Sequence, residues 1–155
     1  MLRIDRENSD TKEILDFLES NNIVRLAFNT DSAPYIVPVC YGFDYDGEDF
    51  TIYFHGSNKG RKVELAKANP NVGFEIDASS EVKSAETACK FSMNYQSIIG
   101  TGKIVAIENT TEKKRSLNRI MFQFSGNSQW DFDEKMLEMT AVFKLSVDNF
   151  TIKNS

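Results

Sequence analysis

The feature that most restricts the fold of this chain is a two-residue rhythm of apolar side chains that returns between short breaks. Val24, Leu26 and Phe28 alternate with Arg25, Ala27 and Asn29, and residues 30 to 33 read as a turn into a second strand from Tyr35 to Phe43. Asp44-Tyr45-Asp46-Gly47 supplies the next turn, after which Ile52 and Phe54 alternate with Thr51, Tyr53 and His55. Val72, Phe74 and Ile76 repeat the pattern, residues 95 to 107 make a long strand, and residues 140 to 147 make the last one before a short tail with Phe150 and Ile152. Strands that bury one face and follow one another at hairpin spacing favour a mainly β, α+β fold: a six-stranded antiparallel barrel with helices packed outside it. A doubly wound parallel sheet fits worse, and there is no G-x-G-x-x-G after any strand.

Three helical segments punctuate the strands. Asp10 and Glu13 form a capping pair before Ile14, Phe17 and Leu18, and Asn21-Asn22 ends that run. A second helix runs to Ala68 and stops at Asn69-Pro70. In the third, Asn109 and Glu112 mark the start, Leu117, Ile120, Met121 and Phe124 line one face, and Gly126 marks the end. Residues 78 to 92 are polar and read as a loop. Gly100 and Gly102 permit a bend or a close approach in the long strand. Trp130 stands in polar company and reads either as a packing residue or as an interface or ligand contact.

Composition narrows the function. The 155 residues fit one domain, and its 23 acidic against 18 basic residues give a net charge of -5, which disfavours nucleic acid and anionic membranes as partners. One histidine and two cysteines, with no pair at zinc spacing, exclude a structural zinc site and a disulfide framework. Cys40 and Cys89 read as small buried residues. The chain carries no apolar run long enough to span a bilayer, so a soluble cytoplasmic protein is expected.

Against that acidic background, one basic cluster stands out. After the strand that ends near His55, Gly56 and Ser57 break the rhythm, and Lys59, Arg61 and Lys62 crowd the start of the next helix with no acid before Glu64. Helix N-termini favour anions, so cations there repel one another and the local dipole unless a bound anion offsets them. The pattern reads as a phosphate cradle, with solvated surface charges as the competing reading. Pro38, between Val37 and Val39, cannot donate to a strand ladder, so it marks an edge or a bulge and frees nearby backbone groups.

Five segments recur in a familiar order: Arg25-Leu26-Ala27-Phe28; Pro34-Tyr35-Ile36-Val37-Pro38-Val39; Tyr53-Phe54-His55-Gly56-Ser57 with Gly60-Arg61-Lys62; Asn69-Pro70; and Tyr95-Gln96-Ser97-Ile98-Ile99-Gly100-Thr101-Gly102. On these segments, over about residues 10 to 125, the chain resembles the flavin-binding split-barrel family related to pyridoxamine 5′-phosphate oxidase, in the branch that includes nitroimidazole-resistance proteins. The resemblance implies a six-stranded split barrel, usually a homodimer, with FMN in a groove between subunits. It further implies that backbone around Val37, Pro38 and Val39 runs along the isoalloxazine ring, and that Ser57 and Lys62, with Arg61, hold the FMN phosphate. Tyr95 and Ser97 match a segment near the cofactor, and His55 matches a histidine that some relatives place close to the flavin.

Two functions follow as expectations. One is an FMN-dependent oxidoreductase that reduces nitroaromatic or other electrophilic small molecules with electrons from NAD(P)H or another donor, with His55 as a proton donor or polar contact. The other is a module of the same fold that binds or stores a flavin, haem or F420 without turnover. A pyridoxamine-phosphate oxidase proper, which would need a second phosphate site for its substrate, is the less expected reading.

Overall fold

The computed structural model describes residues 11–154, so Asp10, half of the expected capping pair, lies outside them. Its elements are α1 (Thr11–Glu19), β1 (Ile23–Phe28), β2 (Tyr35–Cys40), β3 (Gly42–Tyr45), β4 (Phe50–Ser57), α2 (Arg61–Ala68), β5 (Asn71–Lys83), β6 (Ser92–Ala106), α3 (Thr110–Ser125), α4 (Glu134–Met139) and β7 (Thr140–Asn154). All seven strands join one antiparallel sheet in the order β2-β1-β5-β6-β7-β4-β3.

That order carries a strong constraint. β2 and β3 occupy opposite edges of the sheet, yet only Tyr41 separates them in sequence. Two consecutive peptide units span about 7 Å at most. The sheet therefore has to curl until its edges nearly meet, leaving a barrel split between β2 and β3. Tyr41 is fully buried, and its hydroxyl donates to the Leu18 carbonyl of α1 at 2.7 Å. The expected single strand from Tyr35 to Phe43 is thus two strands, broken where the chain steps from one edge to the other.

Alternation then sorts side chains between two cores. Val24, Leu26, Phe28, Val39, Ile52, Phe54, Val72, Phe74, Ile76, Ile98 and Leu145 fill the barrel interior, and α1 adds Ile14, Phe17 and Leu18 to them. On the outside of β4 and β7, Tyr53 and Val142 pack with Leu117 and Ile120 of α3 and Leu137 of α4. An Arg cluster fastens α3 to the strands: Asp44 accepts from Tyr53 Oη at 2.8 Å and pairs with Arg115 at 2.9 Å and Arg119 at 3.1 Å. The expected caps of α3 are present, since Asn109 accepts from the Glu112 N–H and Gly126 ends the helix with a φ of 72°. Phe124, however, is exposed rather than on the packed face.

Several boundaries differ from the sequence reading. Residues 78 to 92 are not one loop: β5 continues to Lys83, β6 begins at Ser92, and the two pair as a two-stranded arm beyond a register shift between Ser79 and Glu81. The arm lacks an apolar rhythm because both its faces are largely exposed. β7 likewise runs on to Asn154, with Phe150 and Ile152 in the barrel core; its register shifts opposite Thr101 and Gly102, so Asp148 is the extra residue that breaks the phase. Gly100 and Gly102 do allow a close approach, and what approaches is β7 itself, through the carbonyls of Asn149 and Ser146. Cys40 is half-buried and Cys89 exposed, so the expectation of burial fails for Cys89. No described helix is long and apolar enough to cross a membrane.

Removing the Tyr41 hydroxyl alone, by Tyr41→Phe, is expected to cost about 1 kcal/mol, because Gln123 also donates to the Leu18 carbonyl and keeps it satisfied. Tyr41→Ala, which empties the seam, is expected to cost about 3–5 kcal/mol. Urea unfolding of the two variants measures the difference.

Candidate functional site

The basic cluster lies where β4 leaves the sheet. Asn58, just past the strand, donates its backbone N–H to the Met139 carbonyl at 3.2 Å and its side-chain amide to the Glu138 carbonyl at 2.9 Å, which pins the turn to the end of α4. Ser57 Oγ accepts from the Lys59 N–H at 3.3 Å, tightening the turn further. Gly60 takes the N-cap position of α2 and makes no side-chain cap, which leaves first-turn N–H groups of the helix without one among the described residues. Lys59 therefore precedes the helix rather than belonging to its first turn.

Ser57, Lys59, Gly60, Arg61, Lys62 and Val63 line a recess of about 100 Å³ together with Tyr35 from the start of β2. The Arg61 guanidinium lies over the Tyr35 ring at 4.5 Å from its centroid. Lys62 folds back over β4 and runs close above Gly56, where a Cβ would come 3.1 Å from its Cε. Among the described residues no carboxylate pairs with Lys59, Arg61 or Lys62, whereas Arg25, Arg115, Arg119 and Lys144 all have carboxylate partners. A serine hydroxyl, three unpaired cations and an uncapped helix start suit a phosphoryl group.

Of the expected site residues, Ser57, Arg61 and Lys62 meet in this recess. His55 does not line it. It sits two residues back on β4, exposed, and burial of part of the ring, followed by the Lys62 charge, holds its imidazole below the ordinary value. Val37 and Val39 turn inward to the barrel core, while Pro38 is exposed on the edge strand, as the sequence predicts for a residue that cannot donate.

Pro38 pairs with Arg25, Arg25 with Glu75 and Glu75 with Ile99, so these residues share the outer face of the sheet. Ser97 lies on the same face opposite Asp77, three strand spacings from β2, or roughly 14 Å along the sheet. Tyr95 borders a different recess with Glu13, Ser79, Asn94 and Asn154, and Lys153 lies over its ring at 5.4 Å. Within one chain, then, Tyr95 and Ser97 stand apart from the basic recess. On the same outer face Arg25 bridges Asp77 at 2.6 Å and Glu75 at 3.3 Å, and burial with the Asp77 charge pushes the Glu75 carboxyl up. Trp130 is partly exposed and donates its ring N–H to the Asn127 carbonyl at 2.9 Å, closing the loop after α3.

Sequence reasoning missed Tyr35 as a site residue. It stands more than twenty residues before the basic cluster, and only the curl of the sheet brings the two together.

A curled antiparallel sheet with helices packed outside it defines the class of split β-barrels. The chain belongs to the pyridoxamine 5′-phosphate oxidase family, whose pattern matches residues 10–154. The match extends beyond residue 125, where the motifs legible in the sequence end, and takes in all of β7. Among solved structures, the chain is similar to a candidate 5-nitroimidazole antibiotic resistance protein of Bacteroides thetaiotaomicron, at 26% identity and a TM-score of 0.77, over 93% of this chain and 83% of that one. It shares its fold with an FAD and heme binding protein of Mycobacterium smegmatis, at 20% identity and a TM-score of 0.82, over 96% and 72% of the two chains. It also shares it with an FAD-binding protein of Mesorhizobium loti, at 18% identity and a TM-score of 0.66, over 95% and 96%. No functionally curated protein matches the chain.

His55 is the only histidine, so its proton resonance can be followed without assignment. Its titration midpoint is expected below about 6.5, and Lys62→Ala is expected to move it upward by removing the repelling charge. Because the folded value is the lower one, the unfolded chain takes up the proton more readily; this residue's share of stability is full above about pH 6.5 and declines as the pH falls. A midpoint unmoved by Lys62→Ala would show that the lysine does not act on the ring.

Proposed function

We propose that the protein is an FMN-dependent oxidoreductase that reduces nitroaromatic or other electrophilic small molecules, with NAD(P)H or a comparable reductant as the electron source. The observation that carries the proposal is the recess in which Ser57, Lys59, Arg61 and Lys62 converge without a carboxylate partner among the described residues. A phosphate monoester brings nearly two negative charges at neutral pH and would offset those cations. When bound, the flavin supplies the electron-transfer chemistry, and the chain's part is to hold and orient it. Ser57, Arg61 and Lys62 anchor the phosphate; the exposed backbone beside Pro38 borders the ring; His55, kept neutral near pH 7, offers a hydrogen bond beside it. The 26% identity to a candidate nitroimidazole resistance protein supports electrophilic acceptors as the substrate class.

The same reading includes a homodimer. Ile23, Ile36 and Ile99 are exposed on the outer face of β1, β2 and β6, the face that also carries Pro38 and Ser97. A second copy covering this face would bring its own Tyr95 and Ser97 toward the first copy's ring site, which accounts for their distance from the basic recess within one chain. Ile36→Asp is expected to shift the protein from dimer to monomer in sedimentation experiments, with the monomeric fold intact by circular dichroism. A wild-type protein that sediments as a monomer would remove the dimer from this reading.

A visible spectrum of the purified protein, followed through addition of NADH and then of a nitroimidazole, tests turnover: bleaching and recovery support the enzyme, whereas bound flavin inert to both points to a binding module. Lys62→Ala is expected to weaken FMN by about 1–3 kcal/mol, the range of a charge-assisted hydrogen bond, while leaving riboflavin, which has no phosphate, unaffected. Equal FMN titrations for wild type and variant would place the phosphate elsewhere.

A further inference from the structure

We infer that Tyr35 is a positioning residue for the anion recess: its ring holds the Arg61 guanidinium in place to meet a phosphate monoester. The inference rests on the flavin-phosphate reading of the recess and adds a residue from outside the basic cluster. Arg61 has no carboxylate partner among the described residues, and an arginine on the first turn of a short helix would ordinarily sample many rotamers, at an entropic cost to any bond it makes. What restrains it here is the π face of Tyr35, 4.5 Å from the guanidinium carbon.

The ring is itself held. Tyr35 pairs with Phe28 at the turn end of the β1–β2 hairpin, and the two rings contact with centroids 6.3 Å apart. Phe28 is buried in the barrel core, so Tyr35 stands on a rigid support rather than on the loop before it. The planar cation can lie flat on the ring and still direct N–H groups from its edge, so stacking does not use up the donors that an anion needs. Tyr35 lines the same recess as Ser57, Lys59 and Lys62, which places the stacked guanidinium at its wall. Fixing Arg61 before binding lowers the ordering cost paid when the anion arrives.

The test is a set of flavin titrations in low salt with FMN and with riboflavin. Tyr35→Phe keeps the ring and is expected to hold FMN affinity within about twofold, while Tyr35→Leu keeps the apolar support on Phe28 but not the π face, and is expected to weaken FMN about five- to tenfold. Riboflavin affinity should be the same in all three proteins. In an Arg61→Ala background, Tyr35→Leu should cost less than about twofold, since the residues act as a pair. A Tyr35→Leu loss that persists in full without Arg61, or that extends equally to riboflavin, overturns the positioning role. If the wild-type protein binds FMN no better than riboflavin, the phosphate reading fails first and the inference falls with it; that outcome is read from the wild type alone.

Discussion

The single residue between β2 and β3 governs the architecture. Because Tyr41 must bridge the two edges of a seven-stranded sheet, the sheet cannot lie open, and the register shift at the β6–β7 seam is where an extra residue adds local bend and twist. Curling turns the inner set of alternating side chains into a closed core and leaves α1 to add Ile14, Phe17 and Leu18 to it. It also brings the start of β2 beside the exit of β4, two places far apart in the flat order of strands. The recess at the head of α2 is a product of that juxtaposition.

Within this frame, the contrast between two sets of cations is informative. Arg115 and Arg119 lie along α3 and share Asp44, so their charges serve to fasten a helix to the barrel. Lys59, Arg61 and Lys62 fall within four consecutive positions, yet none has such a partner among the described residues. Like charges a few ångströms apart at a protein surface repel by about 1 kcal/mol or more. The Tyr35 ring offsets part of this cost for Arg61 alone, and no carboxylate among the described residues offsets the rest. Under the proposed function, a bound phosphate is what offsets it.

Much of this was legible in the sequence because it depends on local pattern. Ser57, Arg61 and Lys62 fall within six consecutive positions, so one turn and one helix start suffice to gather them. Val24 to Phe28, Ile52 with Phe54 and Val72 to Ile76 announce their strands by alternation. The arm formed by the end of β5 and the start of β6 carried no such signal, since neither face is buried and its pairing rests on backbone hydrogen bonds. The end of β7 was hidden for a different reason: the extra residue Asp148 inverts the phase, so Phe150 and Ile152 no longer continue the rhythm of Phe143 and Leu145. α4 is only six residues long, and what stabilises it is the burial of Leu137 against α3 rather than propensity. Tyr35 belongs to the site only through the curl of the sheet, which no local window contains.

The connectivity around Tyr41 also sets an order of assembly. The β1–β2 and β3–β4 hairpins close over short stretches of chain, but β1 docks on β5 and β4 on β7 across far longer ones. Contacts between residues distant in sequence form late and make folding slow. The two hairpins share one tyrosine as their joint, so its ring leaves water only when both have found their places on the central strands. Changes at this joint should therefore hasten unfolding and leave the rate of folding nearly untouched, a partition that stopped-flow kinetics of the Tyr41 variants would reveal.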